Sequence, residues 1–156
     1  MDLARAVEGV GARKIVLGGL FATANRLQRV LDGQLPELTA RQWWVLVMLE
    51  IFDAPPTLTQ LAEVMDTSHQ SLKGLVGHLA SKGFVEVGVD PSDARALRVI
   101  PTAKVGEWSK ATAGQSERFM DAMFAGIDGE RLALVGEALM DIHAALGGIE
   151  RQGGRP

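Results

Sequence analysis

The apolar residues of this chain change their spacing along its length, and each change marks an element boundary. From Arg13 onward, Leu17, Leu20, Phe21, Ala24, Leu27 and Leu31 recur at three- and four-residue steps, with Arg26, Gln28 and Arg29 turned away. This predicts a long amphipathic helix ending at Gly33, preceded by a loose Ala- and Gly-rich arm over residues 1–12. Gly18 and Gly19 inside the helix together cost ~2 kcal/mol of propensity relative to alanine, so a close helix approach or a bend is expected there. Pro36 forces a break. Thr39-Ala40-Arg41-Gln42 then has the Thr-x-x-Gln form of a capping box, and nine of the ten residues from Trp43 to Phe52 are apolar. The second helix is therefore expected to be buried on nearly all sides. Ala54-Pro55-Pro56 ends it and leads through a short extended segment into Thr57.

Thr57-Leu58-Thr59-Gln60 repeats the capping signature, and Leu58, Leu61, Ala62 and Met65 form one apolar stripe. Asp66 and Thr67 interrupt it. Thr67-Ser68-His69-Gln70 repeats the Thr-x-x-Gln arrangement and starts another helix at once, with Thr67 as its cap, which gives helix, tight turn, helix. The buried face of the new helix is Leu72, Leu75, Val76 and Leu79, while polar residues crowd its N-terminal half. Gly83 stands where a left-handed residue ends a helix. Phe84, Val85, Val87 and Val89, the turn Asp90-Pro91-Ser92-Asp93, and Leu97 and Val99 then read as a β-hairpin. A hairpin directly after a helix-turn-helix is a wing. Thr102 is expected to cap a further long helix with Val105, Trp108, Thr112, Gln115, Phe119 and Met123 on one face. Beyond Asp128-Gly129, Leu132, Val135, Leu139, Ile142, Leu146 and Ile149 form a heptad-like seam. Three long helices need more partner surface than a winged lobe of roughly 65 residues offers, which favours a two-fold dimer.

The expected architecture is mainly α with a small β-wing (α+β), a winged helix-turn-helix flanked by N- and C-terminal dimerisation helices. Its parts are an arm and dimerisation helix over 1–38, the winged lobe over 39–102, C-terminal dimerisation helices over 103–150, and a flexible tail over 151–156.

Composition narrows the function. At 156 residues and 47% apolar content the chain is about one domain, neither disordered nor membranous. The run from Trp43 to Phe52 is interrupted by Glu50 and falls short of the ~20 residues that span a bilayer, and the N-terminus lacks the order of a secretory signal. A cytoplasmic protein without a membrane partner is expected. The absence of cysteine excludes disulfides, thiolate metal sites and thiol redox switching. The three histidines are scattered, with no second ligand at metal-site spacing. Asp66, Ser68 and His69 are too close in sequence for a hydrolase triad. Gly9-Val10-Gly11 lacks the third glycine of a dinucleotide site, and no Gly-Lys-Ser/Thr phosphate loop occurs. No enzyme, cofactor or metal is expected.

The formal charge of −3 argues against indiscriminate nucleic-acid binding, and residues 39–104 hold 6 Lys/Arg against 7 Asp/Glu. A DNA reader so balanced must place its cations locally. Major-groove reading calls for short polar side chains at the start of an inserted helix, a need that Ser68, His69, Gln70, Ser71 and Lys73 meet. Gln70 suits a bidentate contact to adenine, and Ser71 a hydroxyl contact.

Leu38-Thr39-Ala40-Arg41-Gln42-Trp43, Leu58-Thr59-Gln60-Leu61-Ala62, Leu75-Val76-x-x-Leu79-x-x-Lys82-Gly83-Phe84-Val85, Asp93-x-Arg95 and Thr102 match, in order, the pattern of the MarR (multiple-antibiotic-resistance regulator) family. Over roughly residues 13–148 the chain resembles these winged-helix transcription factors. The resemblance implies a homodimer that binds a pseudo-palindromic operator in double-stranded DNA, more often as a repressor. It implies that Arg95 enters the minor groove with its guanidinium held by Asp93, which leaves Arg98 as a phosphate contact. It also implies a crevice for a small aromatic effector, for which Phe21, Trp43, Trp44, Met48 and Trp108 are the candidates. Gly74, Gly77 and His78 depart from the pattern, standing where many relatives carry Arg or another large polar residue, so modest and weakly salt-dependent DNA affinity is expected. The competing reading is a winged-helix dimer with weak DNA binding that serves as a small-molecule-binding or protein-docking module.

Overall fold

A computed structural model describes residues 11–153. The N-terminal arm up to residue 10 and the tail from residue 154 lie outside them. The chain divides between Trp108 and Ser109 into two compact units. The first holds α1 (Ala12–Gln34), α2 (Ala40–Leu49), α3 (Leu58–Val64), α4 (His69–Ser81), β1 (Val85–Val89), β2 (Leu97–Pro101) and the start of α5 (Ala103–Phe124). The second holds the rest of α5 and α6 (Gly129–Gly153).

Local chemistry sets most helix starts. Two of the three expected Thr-x-x-Gln boxes form: Gln42 N–H donates to Thr39 Oγ1 at 3.2 Å and Thr39 N–H to Gln42 Oε1 at 3.2 Å, with Gln60 and Thr57 repeating the exchange. The start of α4 departs from expectation. Thr67 N–H is drawn back to Ala62 O at 3.1 Å and Asp66 N–H to Glu63 O at 3.2 Å, closing α3 with Asp66 at φ 47°. With Thr67 used to end α3, Ser68 becomes the cap of α4 and accepts from Ser71 N–H at 3.1 Å. At the far end Gly83, at φ 77°, donates to Ala80 O at 2.9 Å, and Phe84 N–H to Leu79 O at 3.0 Å, the paired bonds of a Schellman stop.

Helix α2 ends at Leu49, three residues before the expected Phe52, because Glu50 and Phe52 turn back onto the carbonyls of Val47 and Leu49 ahead of the two prolines. Nor is it buried on nearly all sides. Val45, Leu46 and Leu49 are buried, but Trp44 is 44% exposed and the following Ile51 is exposed too. In α1, an added Cβ at Gly18 or Gly19 meets nothing within 4 Å. The close approach expected there is absent among the described residues.

Gly74 and Gly77 lie on the outer side of α4, also with open space around them. Replacing Gly77 with Ala should therefore stabilise the fold by about 1 kcal/mol, since only backbone freedom changes. Urea unfolding checks this, and a lowered midpoint would contradict it.

The strands pair antiparallel with Val87 opposite Val99 and Gly88 opposite Arg98. The short extended segment joins them, with Val99 N–H donating to Pro56 O at 2.9 Å and Thr57 bridging to Arg98. The core beneath is continuous: Val45, Leu61, Leu72, Leu79, Phe84 and Val99 are fully buried. The Thr102 hydroxyl, expected to cap α5, instead donates to the carbonyls of Gly83 at 2.7 Å and Phe84 at 3.2 Å.

Helix α6 runs through Arg151 and Gln152 to Gly153, past the expected boundary of the tail. By length and composition it is apolar enough to cross a membrane over Gly129–Gln152. The expectation drawn from the Trp43 to Phe52 run did not anticipate this, because Ala and Gly spread the apolar character of α6 between isolated charges. Its seam residues Leu132, Val135, Leu139, Leu146 and Ile149 are exposed in the single chain.

Candidate nucleic-acid interface

The turn between α3 and α4 presents the start of α4, and the pairing of β2 with the Pro56–Thr57 segment brings the wing beside it. Ser68, His69, Gln70, Ser71 and Lys73 are all exposed. The Ser68 hydroxyl donates to Ser71 Oγ at 2.8 Å while accepting from the Ser71 amide, so these two side chains hold each other and the first turn. Between α4 and the wing lies a cleft of about 110 Å³ lined by Thr57, Leu58, Thr59, His69, Lys73, Arg95, Ala96 and Leu97. Three of the sequence candidates, His69, Lys73 and Arg95, thus line one concave surface together with Thr57 and Thr59.

The wing is wired differently from expectation. Asp93 Oδ1 accepts from the backbone N–H of Arg95 at 2.9 Å, not from its guanidinium, and the Arg95 side chain is exposed. The charge pair is Asp90 with Arg98. Arg98 Nε donates to Asp90 Oδ2 at 2.5 Å and Arg98 Nη1 to Pro55 O at 2.9 Å. The Asp90 side chain is only 4% exposed. Arg98 is therefore a strut between the wing and the segment before α3. Two of its five N–H donors are used within the chain, and its side chain is 31% exposed.

Asp90 also organises the turn: its Oδ1 accepts from Ser92 N–H at 2.7 Å, Ser92 Oγ at 2.5 Å and Asp93 N–H at 3.3 Å. The Ser92 hydroxyl and amide, followed by Arg98, hold its carboxyl well below the usual carboxylate range. A carboxylate so depressed contributes stability that is complete above its unfolded value, near 3.8, and is lost as pH falls below it. The urea midpoint should drop between pH 5 and pH 3, and by less in Asp90→Asn, which keeps one acceptor oxygen but no charge. Equal drops would contradict the pairing.

The effector candidates separate. Trp108 stands edge-on to Phe84, ring centroids 6.2 Å apart, and donates from Nε1 to Pro36 O at 3.0 Å. Trp43 and Trp44 lean on each other at 6.1 Å. Met48 and Trp43 pack against the core, while Phe21 is 68% exposed.

Sequence reasoning missed Thr57 and Thr59 as cleft residues, since their capping pattern explained them fully. It also missed Asp90 as the partner of Arg98. That pairing becomes readable only once the register of β1 and β2, with Gly88 opposite Arg98, is known.

The MarR family model matches residues 37–96. No curated protein matches the sequence. Among solved structures, the fold is similar to that of Sco3205, a MarR family transcriptional regulator from Streptomyces coelicolor in complex with DNA, at 25% identity and TM-score 0.76, covering 85% of this chain and 86% of that one. It is similar to a mutant MarR from E. coli complexed with operator DNA, at 23% identity and TM-score 0.72, covering 83% and 95%. It is also similar to BpsR of Bordetella bronchiseptica, whose DNA binding 6-hydroxynicotinic acid regulates, at 19% identity and TM-score 0.67, covering 81% and 98%.

Proposed function

We propose that this chain is a winged-helix transcriptional regulator of the MarR family, as the family-model match over residues 37–96 supports, and that it binds a pseudo-palindromic operator in double-stranded DNA as a homodimer and represses transcription there. The observation that carries the reading is the cleft shared by the start of α4 and the wing, where His69, Lys73 and Arg95 meet. Ser68, Gln70 and Ser71 lie beside it at the end of a helix suited to base edges and phosphate. The dimer is supported by the seam of α6, a line of large apolar residues too long for a monomer to leave in water. Residues 39–102 would be the reading lobe, with the helices on either side providing the dimer contacts. No catalytic step is proposed.

The effector is proposed to be a small aromatic molecule, by likeness to the Bordetella protein, with Trp44 as its first candidate contact. Its exposed indole beside Trp43 offers a stacking face. Phe21 and Met48 are secondary candidates, and the ring of Trp108 is already engaged by Phe84 and Pro36.

Salt dependence tests the DNA reading. Of the six cations in residues 39–104, Arg98, Lys82 and Lys104 are engaged by groups within the chain. Among the described residues that leaves Arg41, Lys73 and Arg95, two sets in a dimer. The slope of log K against log salt should then be about −5. A slope steeper than about −8 would contradict this distribution of cations.

A further inference from the structure

At the end of α4 remote from the cleft, two ammonium groups meet three segments of chain. Lys104, the second residue of α5, pairs with Glu37 Oε2 at 2.9 Å, donates to Lys82 O at 3.0 Å and lies 4.4 Å from the centre of the Phe84 ring. Lys82, the residue that caps the end of α4, donates from Nζ to the carbonyl of Glu37 and to Gln42 Oε1 at 2.9 Å. Glu37 is held at φ 66°, a left-handed conformation that few residues other than glycine adopt. Thr102 adds its hydroxyl to the Gly83 carbonyl. Both cations thus sit at the negative end of the α4 dipole and tie it to the α1–α2 loop and to the start of α5.

We propose that Lys104, acting with Lys82 and Glu37, is a positioning residue that sets the angle of α4 and thereby the ratio of specific to non-specific DNA binding. The 13 residues of α4 make a lever about 20 Å long, so a tilt of about 5° at Lys82 displaces Ser68 by nearly 2 Å. Hydrogen bonds to base edges fail at that displacement, because donor–acceptor distances must stay near 3 Å. Phosphate attraction decays over a screening length of roughly 10 Å and barely changes. The joint therefore governs specificity and leaves non-specific affinity alone. The inference rests on the DNA-reading proposal above.

The test compares Lys104→Met, which keeps an unbranched stem over Phe84 without the charge, with Lys104→Arg, which keeps the charge. Affinity is measured for the selected operator and for a random duplex over a salt series. Because the chain lacks cysteine, spin labels placed at Gly77→Cys on α4 and Glu107→Cys on α5 report the angle in the same proteins, diluted with unlabelled chain. Lys104→Met should lose about tenfold in operator affinity, the worth of roughly one base contact. Random-duplex affinity and the salt slope should stay unchanged while the label distances shift or broaden, and Lys104→Arg should recover most of each effect. Equal weakening on both duplexes with a slope shallower by about 1.8, from two lysines per dimer, would instead make Lys104 a phosphate contact and overturn the proposal. Unchanged operator affinity with unchanged distances would overturn it as well. If the parent protein selects no operator, the DNA reading fails by itself, and the distance distribution still decides whether the joint sets the helix.

Discussion

A Leu146→Asp chain should run as a monomer and lose operator binding. Leu146 is 55% exposed in the single chain and lies in the seam that Leu132, Val135, Leu139, Ile142 and Ile149 continue along α6. If a second copy covers that seam, the substitution buries a carboxylate without a partner, at a cost of more than about 3 kcal/mol. The dimer then dissociates at working concentrations, and each monomer holds only one half-site. If nothing covers the seam, the same change lies on a solvated helix face and shifts stability by no more than about 0.5 kcal/mol. Sedimentation separates the two outcomes. The unaltered protein should have twice the 16.7 kDa chain mass and the variant that mass once. A variant that keeps the mass of the parent would remove α6 from the dimer interface.

Arg95→Ala should weaken operator binding by about 10- to 100-fold, the range of one good groove contact. Its guanidinium is exposed at the cleft, and the bond from Asp93 to the backbone of residue 95 survives the change, so urea stability should stay within about 0.5 kcal/mol. Arg98→Ala should do the reverse. It strips the cation from buried Asp90 and the donor from Pro55 O, so it should destabilise the fold well beyond Arg95→Ala. Titration and urea unfolding of both variants check the assignment. An Arg95→Ala protein that binds normally, or that loses stability as Arg98→Ala does, would reverse the two roles.

The features legible in the sequence were those whose partners lie three or four residues away. The Thr39–Gln42 and Thr57–Gln60 boxes and the Gly83 stop are local exchanges of hydrogen bonds, so residue type and spacing suffice to find them. Ser68 was missed as a cap because two local signals compete for Thr67, and the closing of α3 claims it. The wing pairing was misjudged for a different reason. Asp93-x-Arg95 looks complete along the chain, whereas the partner of Asp90 is eight residues away and reaches it only once β1 and β2 are in register. The joint of Glu37, Lys82 and Lys104 spans 67 positions and leaves no periodic trace. In α2, an almost wholly apolar run predicted burial that the single chain does not supply at Trp44.

Selection of sheared genomic DNA by the purified protein at ~0.1 M salt, where exposed charge contacts are partly screened, followed by footprinting, tests the proposed function most directly. A specific dimer should recover a pseudo-palindromic site protected in two halves about one helical turn apart. Recovery of nothing above background would contradict operator reading and leave the weakly binding docking module in its place.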